Sequence, residues 1–319
     1  MPRLALLLLT VALFAVLAGA TYALRFNPEM HFWHNAAERK LAWADQMRAK
    51  HGYAIGIIGG STTTFGIDAE ILEREHDLPV VNLGLHAGMG PEVCSGFGFA
   101  ALRPGDTLIV SLEPSMLTEE ESEPTSLGVR MAWALRKPAI IGWDDTSSVW
   151  QHMLNPAKLQ PGGYHVMTML GKLVLGQPLY RYHISDSRPG GLQVTAERRP
   201  YALNQPKYES DSLLLSTAGR ALLARIRDEA STRGIRVAYL LPWAYCPEDS
   251  ADLQRAANES LLAQIEESMS VQREPNLGVN SCLEDFSDSG QHLTADAAKR
   301  RSKVLSVTLR HFSQSQPIP

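Results

Sequence analysis

Tyr53-Ala54-Ile55-Gly56-Ile57-Ile58-Gly59-Gly60-Ser61 is the stretch that decides the fold. Its first six residues are apolar throughout, which suits a strand covered on both faces, as in a parallel sheet. The strand runs straight into two glycines and a serine. Working outward, Ile67–His76 reads as a helix beginning near Asp68, and Pro79–Leu83 as a second short strand. Pro91–Leu102 is a helix with a Gly-rich middle, Pro104-Gly105-Asp106 a turn, and Thr107–Leu112 a third strand. Between residues 117 and 213 the rhythm breaks: Pro, Gly, Trp and Tyr abound without a period, as in an insertion folded over one end of the sheet. Order returns at Ser216 with a helix to about Arg233, stopped by Gly234. Arg236–Leu241 reads as a fourth strand, Ser250–Val271 as a helix, Leu277–Ser281 as a weak fifth strand, and a last helix starts at Thr294. Strands alternating with helices predict an α/β domain with a five-stranded parallel sheet. Ligand sites in such sheets lie beyond the carboxyl ends of the strands. The loops to search begin at Gly59, Gly84, Glu113, Pro242 and Cys282.

The N-terminal segment is read separately. Leu4–Leu24 carries no charge over 21 residues. As a helix it would be about 31 Å long, close to a bilayer core. Arg3 before it favours a cytoplasmic N-terminus. Ala18-Gly19-Ala20 offers the competing reading, a cleaved signal peptide. Either way the rest is expected outside the cytoplasm. Residues 1–25 are thus anchor or signal peptide, 26–52 a juxtamembrane helix with Phe32 and Trp33 near the membrane surface, and 53–319 the α/β domain.

Composition excludes several classes. Thirty Lys and Arg against 34 Asp and Glu leave a net charge of −4, without the basic excess of a nucleic-acid partner. Three cysteines are too few for a disulfide scaffold, and no Cys-x-x-Cys pair marks a metal site. No cofactor is expected either. Cys246 and Cys282 follow the fourth and fifth strands. Neighbouring strands lie about 4.8 Å apart, so the two thiols stand either as a disulfide or as free cysteines. Cys94, within a helix, is expected unpaired.

Ser61 at the end of the first strand reads two ways, as a nucleophile or as a helix-capping serine. A phosphate loop is rejected because no Gly-Lys-Ser/Thr follows. His292 bears on the choice. It lies in FSDSGQHLTADAAKRRSKVL, after the last strand, with Asp288 four residues upstream. A serine nucleophile needs a base within reach, and the base needs an orienting carboxylate.

GGST at Gly59, NLGLHAG at Asn82 and the late Asp288/His292 pair resemble the blocks of the SGNH-hydrolase superfamily, the GDSL-like enzymes. GGSTTTFGID, VVNLGLHAGMGPE, LRPGDTLIVSLEP and FSDSGQHLTADAAKRRS are similar to a group of bacterial envelope proteins within it, whose relatives act in O-acylation of glycans. The resemblance covers Ile55–Pro114 and residues 287–309. It implies an SGNH/flavodoxin-like three-layer sandwich, with Ser61 as nucleophile, His292 as general base and Asp288 as orienting acid. The Ser61 amide and an amide within Gly84–Gly88 would form the oxyanion hole, with Gly60 and Asn82 beside it. Two departures stand out. One extra residue separates Asp288 from His292, and the Gly-x-Asn-Asp block is replaced by LEPS, with Glu113 and Ser115 near the Asn position.

Glu113 reads as a second acid or as a carboxylate tying two loops together, the latter preferred. His86 reads as a substrate donor or a structural histidine, again the latter preferred. Trp243 and Tyr245 would either wall a sugar or acyl site or pack under the insertion. The resemblance implies a serine esterase or O-acyltransferase acting on an acylated envelope glycan or small ester. It would be a single-pass protein of the inner membrane with its domain in the periplasm. The alternative is a catalytically inactive scaffold subunit among envelope assembly proteins.

Overall fold

The computed structural model describes residues 3–13, 28–120, 161–194 and 212–315. Five parallel strands form its centre: β1 (Ile55–Gly59), β2 (Val80–Asn82), β3 (Thr107–Ser111), β4 (Arg236–Leu240) and, at the edge, Ser270–Gln272. Their spatial order is β2-β1-β3-β4 and then Ser270–Gln272. Alternation along each strand divides the core. Ile58, Leu108, Val110 and Tyr239 face one side; Ile55, Ile57, Ile109, Ala238 and Leu240 face the other. Both faces are therefore apolar and both are covered, as the unbroken hydrophobic runs demand.

One face is covered by α1 (Pro28–His51), α4 (Pro91–Ala101), α7 (Thr217–Thr232) and α8 (Ala251–Glu266). The other is covered by α3 (Ala69–His76) and α9 (Ala295–Ser315). Between β1 and α3 lies the short helix α2 (Ser61–Gly66), and after β3 comes α5 (Ser115–Thr118). The described part of the insertion holds α6 (Pro161–Val174), a turn of 3₁₀ helix at Ile184–Asp186, and a return to Val194. Residues 121–160 and 195–211 of the expected insertion lie outside the described residues.

The fifth strand is not where the sequence placed it. Helix α8 stops at Glu266 instead of running to Val271, and the freed Ser270–Gln272 becomes β6, the edge of the main sheet. β6 is three residues long and partly exposed, so it carries no apolar run to betray it. Val279–Asn280 is instead β7, paired in parallel with β5 (Ala244–Tyr245) in a separate two-stranded sheet. Between β6 and β7 the chain reverses through Leu277 and Gly278, both at positive φ.

Helix α1 packs into the domain, so Phe32 and Trp33 face its core and not a membrane surface. Phe32 and Trp33 are buried, and Phe32 packs against Tyr180 and Tyr182. The helix runs antiparallel to β2. Trp43 donates to the Val80 carbonyl, Lys40 reaches Asn82, and Trp33 meets the ring of His86. Its C-terminal end is fixed at the amino ends of the strands, where Arg48 pairs with Asp106, just before β3, at 2.9 Å. Its N-terminal end therefore lies beside the carboxyl ends of the strands. Residues 3–13 are helical, with their leucines and valine more than half exposed. Among the described residues no helix is long and apolar enough to cross a membrane; residues 14–24 of the expected span lie outside them.

Candidate active site

Connections from β1 and β3 leave in opposite directions, β1 toward β2 and β3 toward β4. The crevice between their carboxyl ends is where an open parallel sheet receives a ligand. Ser61 ends β1 and Glu113 follows β3, so the two meet there. The Glu113 carboxylate accepts from the Gly60 amide (3.0 Å), the Thr62 amide (3.2 Å) and the Thr62 hydroxyl (2.6 Å). It is buried, and the three donors neutralise the cost of its burial. Glu113 is thus the tie between two loops. The second-acid option is set aside, because its oxygens already hold the turn on both sides of Ser61.

The Thr62-Thr63-Thr64 run is explained by the same packing. Thr63 Oγ1 donates to the Ser111 carbonyl and Thr64 Oγ1 to the Leu85 carbonyl, so each threonine binds a different neighbouring loop. Gly60 admits the carboxylate: a Cβ there would lie 2.3 Å from Glu113 Oε1. With its neighbours pinned, the largely buried Ser61 has neither its amide nor its hydroxyl hydrogen-bonded among the described residues.

His292 and Asp288 sit in a loop pinched at its base. The Ser287 amide donates to the His292 carbonyl (2.8 Å), the Thr294 amide to the Asp285 carbonyl (2.8 Å), and Phe286 bridges to Leu293. The extra residue between the pair is absorbed in this turn. His292 Nδ1 lies 2.7 Å from Asp288 Oδ1. The other carboxylate oxygen accepts from the Tyr182 hydroxyl at 3.0 Å and faces Arg181 at 3.2 Å. Burial alone would raise the Asp288 pKa, but the His292 hydrogen bond, the nearby charges and Tyr182 outweigh it and bring it down to about 2. An ionised Asp288 accepts the Nδ1 proton, which leaves Nε2 of neutral His292 as the basic nitrogen. The imidazole is stacked on Phe65, ring centroids 4.2 Å apart. Phe65 lies one helical turn from Ser61, so the stack brings the histidine to the serine's helix. No hydrogen bond joins Ser61 to His292 in this structure.

Phe65, Arg181 and Tyr182 complete the site without having been singled out in the sequence. The Tyr180-Arg181-Tyr182-His183 run was a signal, a dense aromatic and cationic patch in an otherwise periodless stretch.

Other expected residues have different work. Asn82 is fully buried, donating to the Thr63 and Ile67 carbonyls and accepting from the Gly84 amide at 3.0 Å. It knits the second loop together and does not face the crevice. The Gly84 amide is consumed by that bond and the Gly88 amide by His86 Nδ1 at 2.9 Å, so neither is free to bind an oxyanion. Ser115 is exposed at the start of α5, outside the cluster. Trp243 donates to Glu274 and Tyr245 packs on Phe286, both against the group that includes Leu192 of the insertion, which is the packing option and not a site wall.

The cysteines are all free. In the β5/β7 register Tyr245 stands opposite Asn280, which places Cys246 opposite Ser281 and leaves Cys282 one residue out of step. Successive side chains point to opposite faces, so the thiols diverge. Cys246 is buried beside Ala251 and Val279, whereas Cys282 is exposed near Glu284. No group of three or more His, Cys, Asp and Glu side chains capable of holding a metal occurs among the described residues.

Compared with known proteins, the chain matches no family model, no curated protein and no solved structure.

Proposed function

We propose that the chain is an SGNH-type serine esterase or O-acyltransferase acting on an acylated envelope glycan or related ester. The observation that carries this is the Asp288–His292 pair at 2.7 Å, with the imidazole stacked one turn from an unengaged Ser61. In this mechanism His292 Nε2 takes the Ser61 proton as Oγ attacks the acyl carbonyl. The tetrahedral intermediate collapses to acyl-Ser61, and His292 returns the proton to the departing alcohol. Water or a sugar hydroxyl, deprotonated in turn by His292, then attacks the acyl carbon, and the imidazolium returns that proton to Ser61 Oγ as the acyl–Ser61 bond breaks. Asp288 stays ionised and stabilises the imidazolium. The Ser61–His292 contact is the one that tightens as substrate binds, as catalytic hydrogen bonds commonly do.

The apolar residues 4–24 are read as a membrane anchor, placing the domain outside the cytoplasm. Only three residues separate Leu24 from the start of α1, and the four Cα–Cα steps span at most about 14 Å of extended chain. Because α1 begins beside the strands' carboxyl ends, such an anchor would hold the crevice toward the bilayer. A substrate carried on a membrane lipid suits that placement.

A second reading, an inactive scaffold, draws on the engaged Gly84 and Gly88 amides, which remove two oxyanion donors. Labelling with a serine-reactive fluorophosphonate decides between them. The enzyme reading expects stoichiometric modification at Ser61, lost in Ser61→Ala and slowed by orders of magnitude in His292→Ala. An unmodified Ser61, together with unchanged envelope acylation in a Ser61→Ala strain, would establish the scaffold.

A further inference from the structure

An acyl-transfer site needs donors aimed at the developing oxyanion, and the second loop has spent most of its amides. Gly84 donates to Asn82 Oδ1 and Leu85 to the Gly59 carbonyl, while Gly88 donates to His86 Nδ1. The Gly-x-Asn-Asp asparagine is also missing from the sequence. We infer that the side chain of His86, through Nε2–H, is the donor that replaces them and binds the substrate's carbonyl oxygen. This rests on the acyl-transfer reading above.

Four observations support the assignment. First, His86 follows Leu85, whose amide binds the Gly59 carbonyl and whose own carbonyl accepts from Thr64 Oγ1; those partners bracket Ser61 in sequence. The loop is therefore clamped alongside the serine turn, with His86 as its next residue. Second, the Gly88 amide donates to Nδ1 at 2.9 Å, so Nδ1 is an acceptor and the neutral ring carries its proton on Nε2. The tautomer is fixed by the fold. Third, Nε2 has no hydrogen-bond partner among the described residues, and the ring is only partly buried, held edge-on by Trp33 at 5.8 Å between centroids. Fourth, burial, and then the charges of His292 and Arg181, depress its pKa to about 4. His86 thus stays a neutral donor at neutral pH. Together with the unengaged Ser61 amide it would supply two donors.

Fluorophosphonate labelling of the full-length protein reads the same step, since its phosphoryl oxygen develops charge where an ester's carbonyl oxygen would. His86→Phe keeps an aromatic ring against Trp33 but removes the donor. It is expected to label about a hundredfold or more slowly, with the melting temperature unchanged. His86→Asn, which restores an N–H, is expected to recover at least a tenfold part of that loss. Should His86→Phe fail to fold, His86→Ala is labelled with and without added imidazole, and acceleration by imidazole is expected. Wild-type rates in His86→Phe, equal losses in folded Phe and Asn variants, or no imidazole effect would overturn the inference while leaving Ser61 labelling intact. An unlabelled wild type would overturn both the acyl-transfer reading and this one.

Discussion

The ring of Phe65 lies against the imidazole of His292, centroids 4.2 Å apart and planes 23° from parallel. Phe65 also touches Tyr182, whose hydroxyl holds the far oxygen of Asp288. One buried aromatic therefore braces both members of the pair. The histidine is held by a face and by Nδ1, and its remaining nitrogen is the one left for chemistry.

Phe65→Leu should keep most of the buried volume while removing the flat support. The expected cost is about 1–2 kcal/mol in stability, short of the roughly 3–5 kcal/mol for truncation to Ala. Labelling at Ser61 should fall about tenfold because the imidazole can tilt away. Denaturant unfolding and the labelling rate, measured on the same samples, check it; a stability loss with unchanged labelling would show that the stack is only packing.

Glu113→Gln is a sharper test of the turn. The amide keeps one acceptor and turns an NH₂ toward backbone donors, so at least one of the Gly60 and Thr62 bonds is lost. A buried donor left unpaired costs about 1–3 kcal/mol. The Ser61 turn should loosen, with Ser61 labelling reduced about tenfold or more. Glu113→Asp, a carboxylate one methylene shorter, should recover stability only in part.

Much of this organisation was legible because long apolar strands and their glycine-bounded ends leave a strong signal. β1, β3 and β4 fell within one or two residues of their expected bounds, and Asp68 caps α3 by accepting from the Ile71 amide. β6 was illegible for the opposite reason: three residues at an edge, one of them serine and another glutamine, share no pattern with the interior strands. In the site, Ser61 was legible from its place at the end of β1, whereas Asp288 and His292 follow β7 of the separate two-stranded sheet and drew on the resemblance of their loop as well. Asn82, Gly84 and Gly88 were assigned to the right loop, but their hydrogen bonds turn inward, and neither spacing nor residue type reveals which way an amide points. Tyr182 reaches Asp288 across 106 positions, a contact only the folded chain creates.

The thiols should differ in reactivity. A thiol reagent is expected to modify Cys282 in the native protein, because it is exposed, and the buried Cys94 and Cys246 only on unfolding; all three thiols are pushed upward in pKa, so access and not acidity separates them. Three thiols titrating in denaturant without reductant would agree with the free state. A count of one would restore the Cys246–Cys282 bridge.

Lys40 makes stability pH-dependent in a predictable direction. Its Nζ donates to the Asn82 and Gly191 carbonyls, both at 2.9 Å, and has no carboxylate partner among the described residues. Burial without a counter-charge lowers its pKa from 10.5 to about 7. The two short bonds are what a neutral amine's two hydrogens can supply. Above pH 7 the folded protein then holds the amine neutral, while the unfolded chain stays protonated up to about 10.5. Unfolding therefore takes up a proton across that window, and stability attributable to Lys40 rises with pH from about 7 to about 10.5. The slope approaches about 1.4 kcal/mol per pH unit. Tyr180 and Tyr239, both pushed upward by burial, act in the opposite direction at the alkaline end, so wild type alone would not isolate the lysine. The comparison with Lys40→Met does. The variant leaves two buried carbonyls without this donor and should be less stable at every pH in the window, and its deficit should widen between pH 7 and pH 10 in chemical denaturation. Curves that stay parallel would mean that Lys40 remains charged in the folded protein, with its third contact, Asn82 Oδ1 at 3.4 Å, helping to hold the cation.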